Sequence, residues 1–595
     1  MRDLFYSLLL PFCLIAAALF PAAATAQSQS GIHLHPHDPN RVFAEIELAE
    51  KYGTITAEEA LLEKYRYVFN PDAMTLPTVT ESRSPVKCLL PLELDYHRLK
   101  TRNRLSPSSV DEIERYTNYP QTNHQQSYLS DSGNFIFYYE TDGVHAVPSD
   151  DLNTNGIPDY VEQAAFAADS SYRYQVEQAG FVDFLKTDPY EIYFENFNFY
   201  GVTNSSGSTS FIRIHNNFDG FPPNAHPEGD RIGSLYVTIA HEIKHAIQYE
   251  TNRWDGDAGS FDWIEMDATM MEEVVFDNVN DYYNYIKFDF DSDQPSSQSI
   301  FGNTRTATPG AYWHVSWMLY FYEALGIDFW VSLWEQFIPD RTKPFLDAVA
   351  DELDSRGLSL GLEHIKNHTW HMTAGPDNSA VNFGFEERFD YPNSTFYSEE
   401  LNFLPDIVEG FTLNPYAAQY IRAIPASFAD GQPSFRLEST RPGVGLGVMG
   451  YFRDGSVLRE LALNPVSTEQ SVQTAWNWNE LDRIAIAVVN TNPDEVANYT
   501  LEMTSTAPEE DLIAQNYPNP FNNSTRITFA LTESRTVKLD IYDSLGRRVQ
   551  TLLDEQLNAG YHTVPFNASG LASGVYFYRI TSDNFASSKK MILVK

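Results

Sequence analysis

Cysteine is nearly absent from this chain, with two residues in 595. Cys13 lies in an N-terminal segment expected to be removed, so the mature chain keeps only Cys88 and cannot form an intramolecular disulfide. Stability outside a reducing compartment must then come from core size and bound metal. No Cys-His signature surrounds Cys88, which reads as a buried structural thiol. Basic residues are also scarce: 40 Lys and Arg stand against 81 Asp and Glu, a formal charge of −41. Such a surface repels phosphates, which excludes nucleic acid as a partner. It attracts divalent cations, and Asp and Asn oxygens are hard ligands that suit calcium. Beyond the N-terminus no apolar run is long enough to span a bilayer.

Hydrophobic residues make up 43% of the chain and charged ones 20%, a globular composition, and the length calls for several domains. Arg2, the apolar run Leu8–Phe20 and the small-x-small site Ala24-Thr25-Ala26 give residues 1–26 the form of a signal peptide. Residues 27–125 read as an accessory region and a possible propeptide. It holds the tract His33, His35 and His37, taken as a solvated terminus, and a capping box at Thr56–Glu59 followed by Leu61, Leu62, Tyr65, Val68 and Phe69 at helical spacing. Residues 126–399 mix strands (Phe135–Tyr139, Tyr190–Phe194, Phe211–His215) with helices near 159–178, 234–250, 262–279, 311–325 and 328–338. Past about 400 the helices stop. Alternating segments such as Tyr416–Ile421 and Ile484–Val489 suggest a β-sandwich over 400–507, then a linker at Thr506–Asp511 and a second β module over 508–595.

The central motif is His241-Glu242-Ile243-Lys244-His245. It sits in a stretch striped by Leu235, Ile239, Ile243 and Ile247, so a helix is expected, and positions four apart share a face. Both imidazoles can then reach one zinc ion, while Glu242 is placed to take a proton from a metal-activated water and pass it to a leaving amine. One way of completing such a site, a further Gly-x-x-His, is absent, because Gln248 and Thr251 occupy the relevant positions. A Glu from the next helix is the alternative, and Glu265, Glu272 and Glu273 are available. The strand Phe211–His215 is expected, by analogy with zinc peptidases, to be the sheet edge that pairs with an extended substrate. Tyr312 and His314 are candidates to stabilise a developing oxyanion, against a plainer reading as aromatic packing with Trp317 and Phe321.

Asp151-Leu152-Asn153-Thr154-Asn155-Gly156-Ile157-Pro158-Asp159-Tyr160-Val161-Glu162 fits the calcium-loop pattern in full. Oxygens would come from the side chains of Asp151, Asn153, Asn155, Asp159 and Glu162 and from the Ile157 carbonyl, with Gly156 allowing the turn.

Three resemblances extend this reading. The wording Glu265-x-x-Ala268-Thr269-x-x-Glu272 resembles the glutamate helix of the gluzincins, the thermolysin-like and aminopeptidase-like zinc peptidases. It implies Glu265 as third ligand, with Glu272 behind it. Asn155–Tyr160, His241–His245 and Trp263–Glu265 together resemble a family of secreted bacterial metallopeptidases. Gln515–Asn522, Leu539–Arg547, Gly574–Arg579 and the basic end Lys589–Lys595 resemble the type A sorting domain of the type IX secretion system, which implies a small Ig-like sandwich and export through that machinery. The expectation is thus a secreted multidomain chain: an α+β zincin-like catalytic domain with zinc and calcium, then two all-β modules, acting on protein or peptide substrates. The alternative expectation is a non-catalytic surface binding protein with a structural metal.

Overall fold

The structure is a computed structural model that describes residues 41–76, 85–117, 124–256, 261–286, 312, 314–396, 398–401, 406–409, 412–425, 431–505 and 510–595. The expected signal peptide, the His33–His37 tract and most of the linker lie outside these residues. Among the described residues no helix is long and apolar enough to cross a membrane. The chain divides into two compact units, one up to Gly357 and one from Leu358 onward.

The first unit is α+β. Its N-terminal helices are α1 (Arg41–Lys51), α2 (Ala57–Phe69), α3 (Leu90–Thr101) and α4 (Pro107–Thr117). The capping box that opens α2 is formed: Glu59 N donates to Thr56 Oγ1 at 3.2 Å, and Thr56 N donates to Glu59 Oε2 at 2.8 Å. Strands β1 (Val86–Cys88), β2 (Gln126–Leu129), β3 (Phe135–Tyr139), β4 (Tyr190–Glu195), β5 (Phe199–Ser206) and β6 (Thr209–His215) make one mixed sheet in the order β1-β5-β6-β4-β3-β2. β6 lies inside this sheet, between β5 and β4, which corrects the expectation that Phe211–His215 is the edge. β1, from the region expected to be accessory, pairs in parallel with β5, Cys88 opposite Gly201.

Helix α5 (Asp159–Tyr172), α6 (Asp230–Asn252) and α7 (Phe261–Val275) pack together, and α6 lies against β5 and β6. α6 begins after Gly229, which takes a positive φ of 98°, and ends where Arg253 turns left-handed and its N–H returns to Tyr249 O. Its stripe of Leu235, Ile239, Ile243 and Ile247 is fully buried. α8 (Val315–Leu325), α9 (Ile327–Glu335) and α10 (Phe345–Ser355) complete the unit. α7 and α9 stop four and three residues before the expected 279 and 338.

The second unit opens with α11 (Leu360–His371), so the boundary between the units falls before the expected 399/400, while the first described strand after that helix begins at Ser398, where the change to strands is expected. α11 packs on one face of a five-stranded sheet containing β7 (Val444–Phe452) and β8 (Leu481–Asn490). The approach is close: a Cβ on Gly445 or Gly447 would collide with Ile365 or Thr369. The other face of that sheet shares a core with a four-stranded sheet. Phe435 and Leu437 from one side meet Leu446, Val448 and Ile486 from the other, which makes a β-sandwich. A second pair of antiparallel sheets runs from Leu512 to Leu593 around Phe529, Leu539, Ile541 and Tyr578.

Candidate metal centre

One turn of α6 and one of α7 bring their polar side chains together in a fully buried cluster. His241 and His245 are one helical turn apart, so their rings project to the same side. Their Nε2 atoms are 3.0 Å apart. From α7, Glu265 offers one oxygen to each: Oε2 lies 3.2 Å from His241 Nε2 and Oε1 lies 3.2 Å from His245 Nε2. Tyr312 Oη donates to Glu265 Oε2 at 2.7 Å. Cys88 Sγ, from β1, is 3.5 Å from His245 Nε2. The ligand atoms of Cys88, His241, His245 and Glu265 all lie within 4.8 Å of one another.

A second layer orients the first. His241 Nδ1 bonds Glu272 Oε1 at 2.8 Å, and Lys87 Nζ holds the other Glu272 oxygen at 2.8 Å and also pairs with Asp281. His245 Nδ1 bonds Gln248 Oε1 at 2.8 Å, and Gln248 Nε2 donates to Asp267 Oδ2 at 2.7 Å. Buried imidazoles that ligate metals are commonly fixed this way, by a carboxylate or amide on the far ring nitrogen. Glu272 thus stands behind His241, and Glu273 lies outside the four-residue group.

Burial pulls the His241 imidazole down, but the Glu265 and Glu272 carboxylates outweigh it and raise its pKa to about 10. Burial pushes Glu265 up, and the neighbouring histidines hold it well below the usual carboxylate range. The buried carboxylates have positive partners: Lys87 pairs with Glu272, and Glu265 lies against the two imidazoles.

Glu242 is fully buried beside this group. Burial raises its pKa, opposed by the two histidines and by a hydrogen bond from Thr203 Oγ1 to Oε2 at 2.7 Å. Its Oε1 has no hydrogen-bond partner. β5 runs flush against it: a Cβ on Gly201 would sit 2.9 Å from Glu242 Oε1 and 2.8 Å from Thr238 Cγ2. Glycine is required there for helix and strand to meet at the motif.

The expected site residues are thus largely brought together. Tyr312 reaches Glu265, whereas His314 is buried in the turn that opens α8 and is not one of the clustered ligands. The loop 151–162 closes on the surface as a ring of hydrogen bonds. Asn155 N and Gly156 N donate to Asp151, Leu152 N donates to Asp159, and the Asn153 and Asn155 amides donate to Glu162 at 2.9 and 2.7 Å. Gly156 takes the positive φ (87°) that the turn demands. Sequence reasoning missed Cys88, Thr203 and Lys87. The one available signal was that Cys88, the one cysteine outside the expected signal peptide, precedes the His-Glu-x-x-His motif.

No curated protein matches the chain. Among solved structures it is similar to PorZ of Porphyromonas gingivalis, at 18% identity over 18% of this chain and 15% of that one, with a TM-score of 0.12. It is also similar to the dimeric latent PorU of Porphyromonas gingivalis, at 16% identity over 32% of this chain and 20% of that one, with a TM-score of 0.14. The chain therefore spans a fifth or less of these two structures. The family described as a secretion system C-terminal sorting domain matches residues 515–595. The last module of this chain is thus a type IX secretion sorting domain, and it directs the protein to the outer cell surface, where such proteins are anchored or released.

Proposed function

We propose that the exported protein is a zinc-dependent metallopeptidase with an α+β zincin-like catalytic domain. The observation that carries this reading is the convergence of His241 Nε2, His245 Nε2 and both Glu265 oxygens at 3.0–3.2 Å, beside a buried Glu242. Ligands sharing one tetrahedral zinc at about 2.0–2.2 Å stand roughly 3.3 Å apart, so the spacing fits. Bound zinc would acidify a water and polarise the scissile carbonyl.

The chain's own residues do the rest. Glu242, anchored by Thr203, keeps Oε1 unengaged and thus able to accept the proton of the attacking water. It then returns that proton to the leaving amine. Glu272 and Gln248 hold the two imidazoles in the tautomer that leaves Nε2 for the metal. Tyr312 fixes Glu265 rather than acting on substrate directly. Calcium at Asp151, Asn153, Asn155, Ile157, Asp159 and Glu162 would have a structural role, stiffening the entry to α5, whose Tyr160 hydroxyl bonds the β6 carbonyl of His215 at 3.1 Å. The substrate class is protein or peptide.

The test is Glu242→Gln, made in a Cys88→Ser chain so that the neighbouring thiol does not compete for the metal. Zinc content is expected to stay unchanged while hydrolysis of a peptide library falls about 10²–10⁴-fold. Equal rates would sink the assignment. Absence of any hydrolysis together with polysaccharide binding would favour the surface binding protein instead.

A further inference from the structure

The N-terminal region does not sit apart from the candidate metal centre. Phe43, Leu61, Tyr65, Val68 and Leu90 share one apolar core with Phe199 and Val202 of β5, Tyr249 and Trp254 at the end of α6, and Ile264 of α7. From this docked region β1 runs along β5. Val86 N donates to Asn198 O and Leu89 N donates to Gly201 O, each at 3.2 Å. β5 would otherwise be the sheet edge beside the His-Glu-x-x-His turn, and an exposed edge is where an extended peptide adds as a strand. In this structure that edge is taken by the chain itself.

The register is specific. Cys88 pairs with Gly201, the residue that lets β5 approach Glu242, so its thiol is delivered to the motif. Its neighbour Lys87, equally buried, pairs with Glu272 and Asp281, and Glu272 is the carboxylate behind His241. A ligand at about 2.3 Å for sulfur and one at about 2.0–2.1 Å for imidazole nitrogen on a common tetrahedral ion stand roughly 3.5 Å apart. Cys88 Sγ and His245 Nε2 are 3.5 Å apart. Glu242, fully buried and with Oε1 unpartnered, closes the same space.

We propose that Cys88 is the fourth ligand of the metal held by His241, His245 and Glu265, and that β1 blocks the substrate edge, so that the protein folds in a latent form. This rests on the zinc reading above. On ligation the thiol loses its proton to solvent and a metal–sulfur bond closes the position that water would need. Activity then requires the metal–sulfur bond to break, which returns the thiolate to a proton and removes the side-chain tie that holds β1 on β5. A buried thiol with a purely structural role would need neither the sulfur–nitrogen spacing nor the pairing along β5.

The experiment uses the full mature chain loaded with zinc, and separately with cobalt(II). X-ray absorption of the wild-type zinc form is expected to show a sulfur scatterer at about 2.3 Å. The cobalt form is expected to show a near-ultraviolet thiolate charge-transfer band that is lost in Cys88→Ser and Cys88→Ala, while metal content stays the same. Peptide hydrolysis should rise at least about 10-fold in both variants, since they open the fourth position. A metal shell of nitrogen and oxygen only, with equal rates in all three proteins, overturns this inference and leaves the zinc reading standing. A sulfur ligand with unchanged rates overturns the latency. A wild-type chain that takes up no metal overturns both. The absorption measurement needs no variant, so misfolding of a mutant cannot rescue the proposal.

Discussion

Two regions of the molecule bury very different things. Around α6 and α7 the interior holds His241, Glu242, Lys244, His245, Gln248, Glu265, Asp267 and Glu272, all at most 1% exposed. The core of the β-sandwich holds Phe435, Leu437, Leu446, Val448, Ile486 and Leu501 at 0%, with no charge among them. An apolar core stabilises by area removed from water. A buried charged cluster does not, because desolvation opposes it unless every group finds a partner. The sandwich core therefore stabilises by burial, whereas the α6–α7 cluster must pair its charges, as Lys87 does for Glu272 and as a metal ion would for Glu265 on the proposed reading.

This contrast can be broken or sharpened by substitution. The largest effect after loss of Glu242 is expected in the sandwich. Phe435→Ala should lower the unfolding free energy by about 3–5 kcal/mol, through lost burial and the cavity left behind. Denaturant titration would read the loss, and metal content should be untouched. Loss of metal together with the core would contradict the separation.

Glu272→Ala makes the opposite cut. It removes the carboxylate that orients His241 and pairs with Lys87. Metal affinity is expected to fall about 10–100-fold, read by competition with a chelator. Unchanged affinity would reduce Glu272 to a partner of Lys87 alone.

The smallest effect concerns Glu93, where α3 meets β5 by a hydrogen bond from Asn204. Burial raises its pKa from 4.5 to about 7, against the opposing charge of Arg213 and that hydrogen bond. The folded carboxyl keeps its proton to about pH 7, whereas the unfolded chain releases it near 4.5. Between these values the folded state binds more protons, so stability falls as pH rises through the window. The wild type should lose on the order of 1–3 kcal/mol there relative to Glu93→Gln, which stays neutral. Parallel pH profiles of the two proteins would remove Glu93 as the cause.

Local features were legible in the sequence. The capping box at Thr56, the stripe of α6, the motif and the alternation of the β modules each depend on residues a few positions apart. What was hidden depends on distant partners. Nothing within Phe211–His215 reveals that β5 covers it, since the strand pattern is the same at an edge or inside. Helix α11 has the look of the helices before it, and only Gly445 and Gly447, far along the chain, give it a seat in the second unit. Cys88 read as a structural thiol because its burial was foreseeable and its neighbour His245 was not.

The central claim is the ligand set, and metal analysis tests it most directly. Wild-type mature chain and Glu265→Ala should be purified together and their metal measured by mass spectrometry. One zinc ion per wild-type chain and a clear loss in the variant are expected. Zinc retained in full by Glu265→Ala would contradict the third ligand, and a wild-type chain without zinc would contradict the metal centre itself.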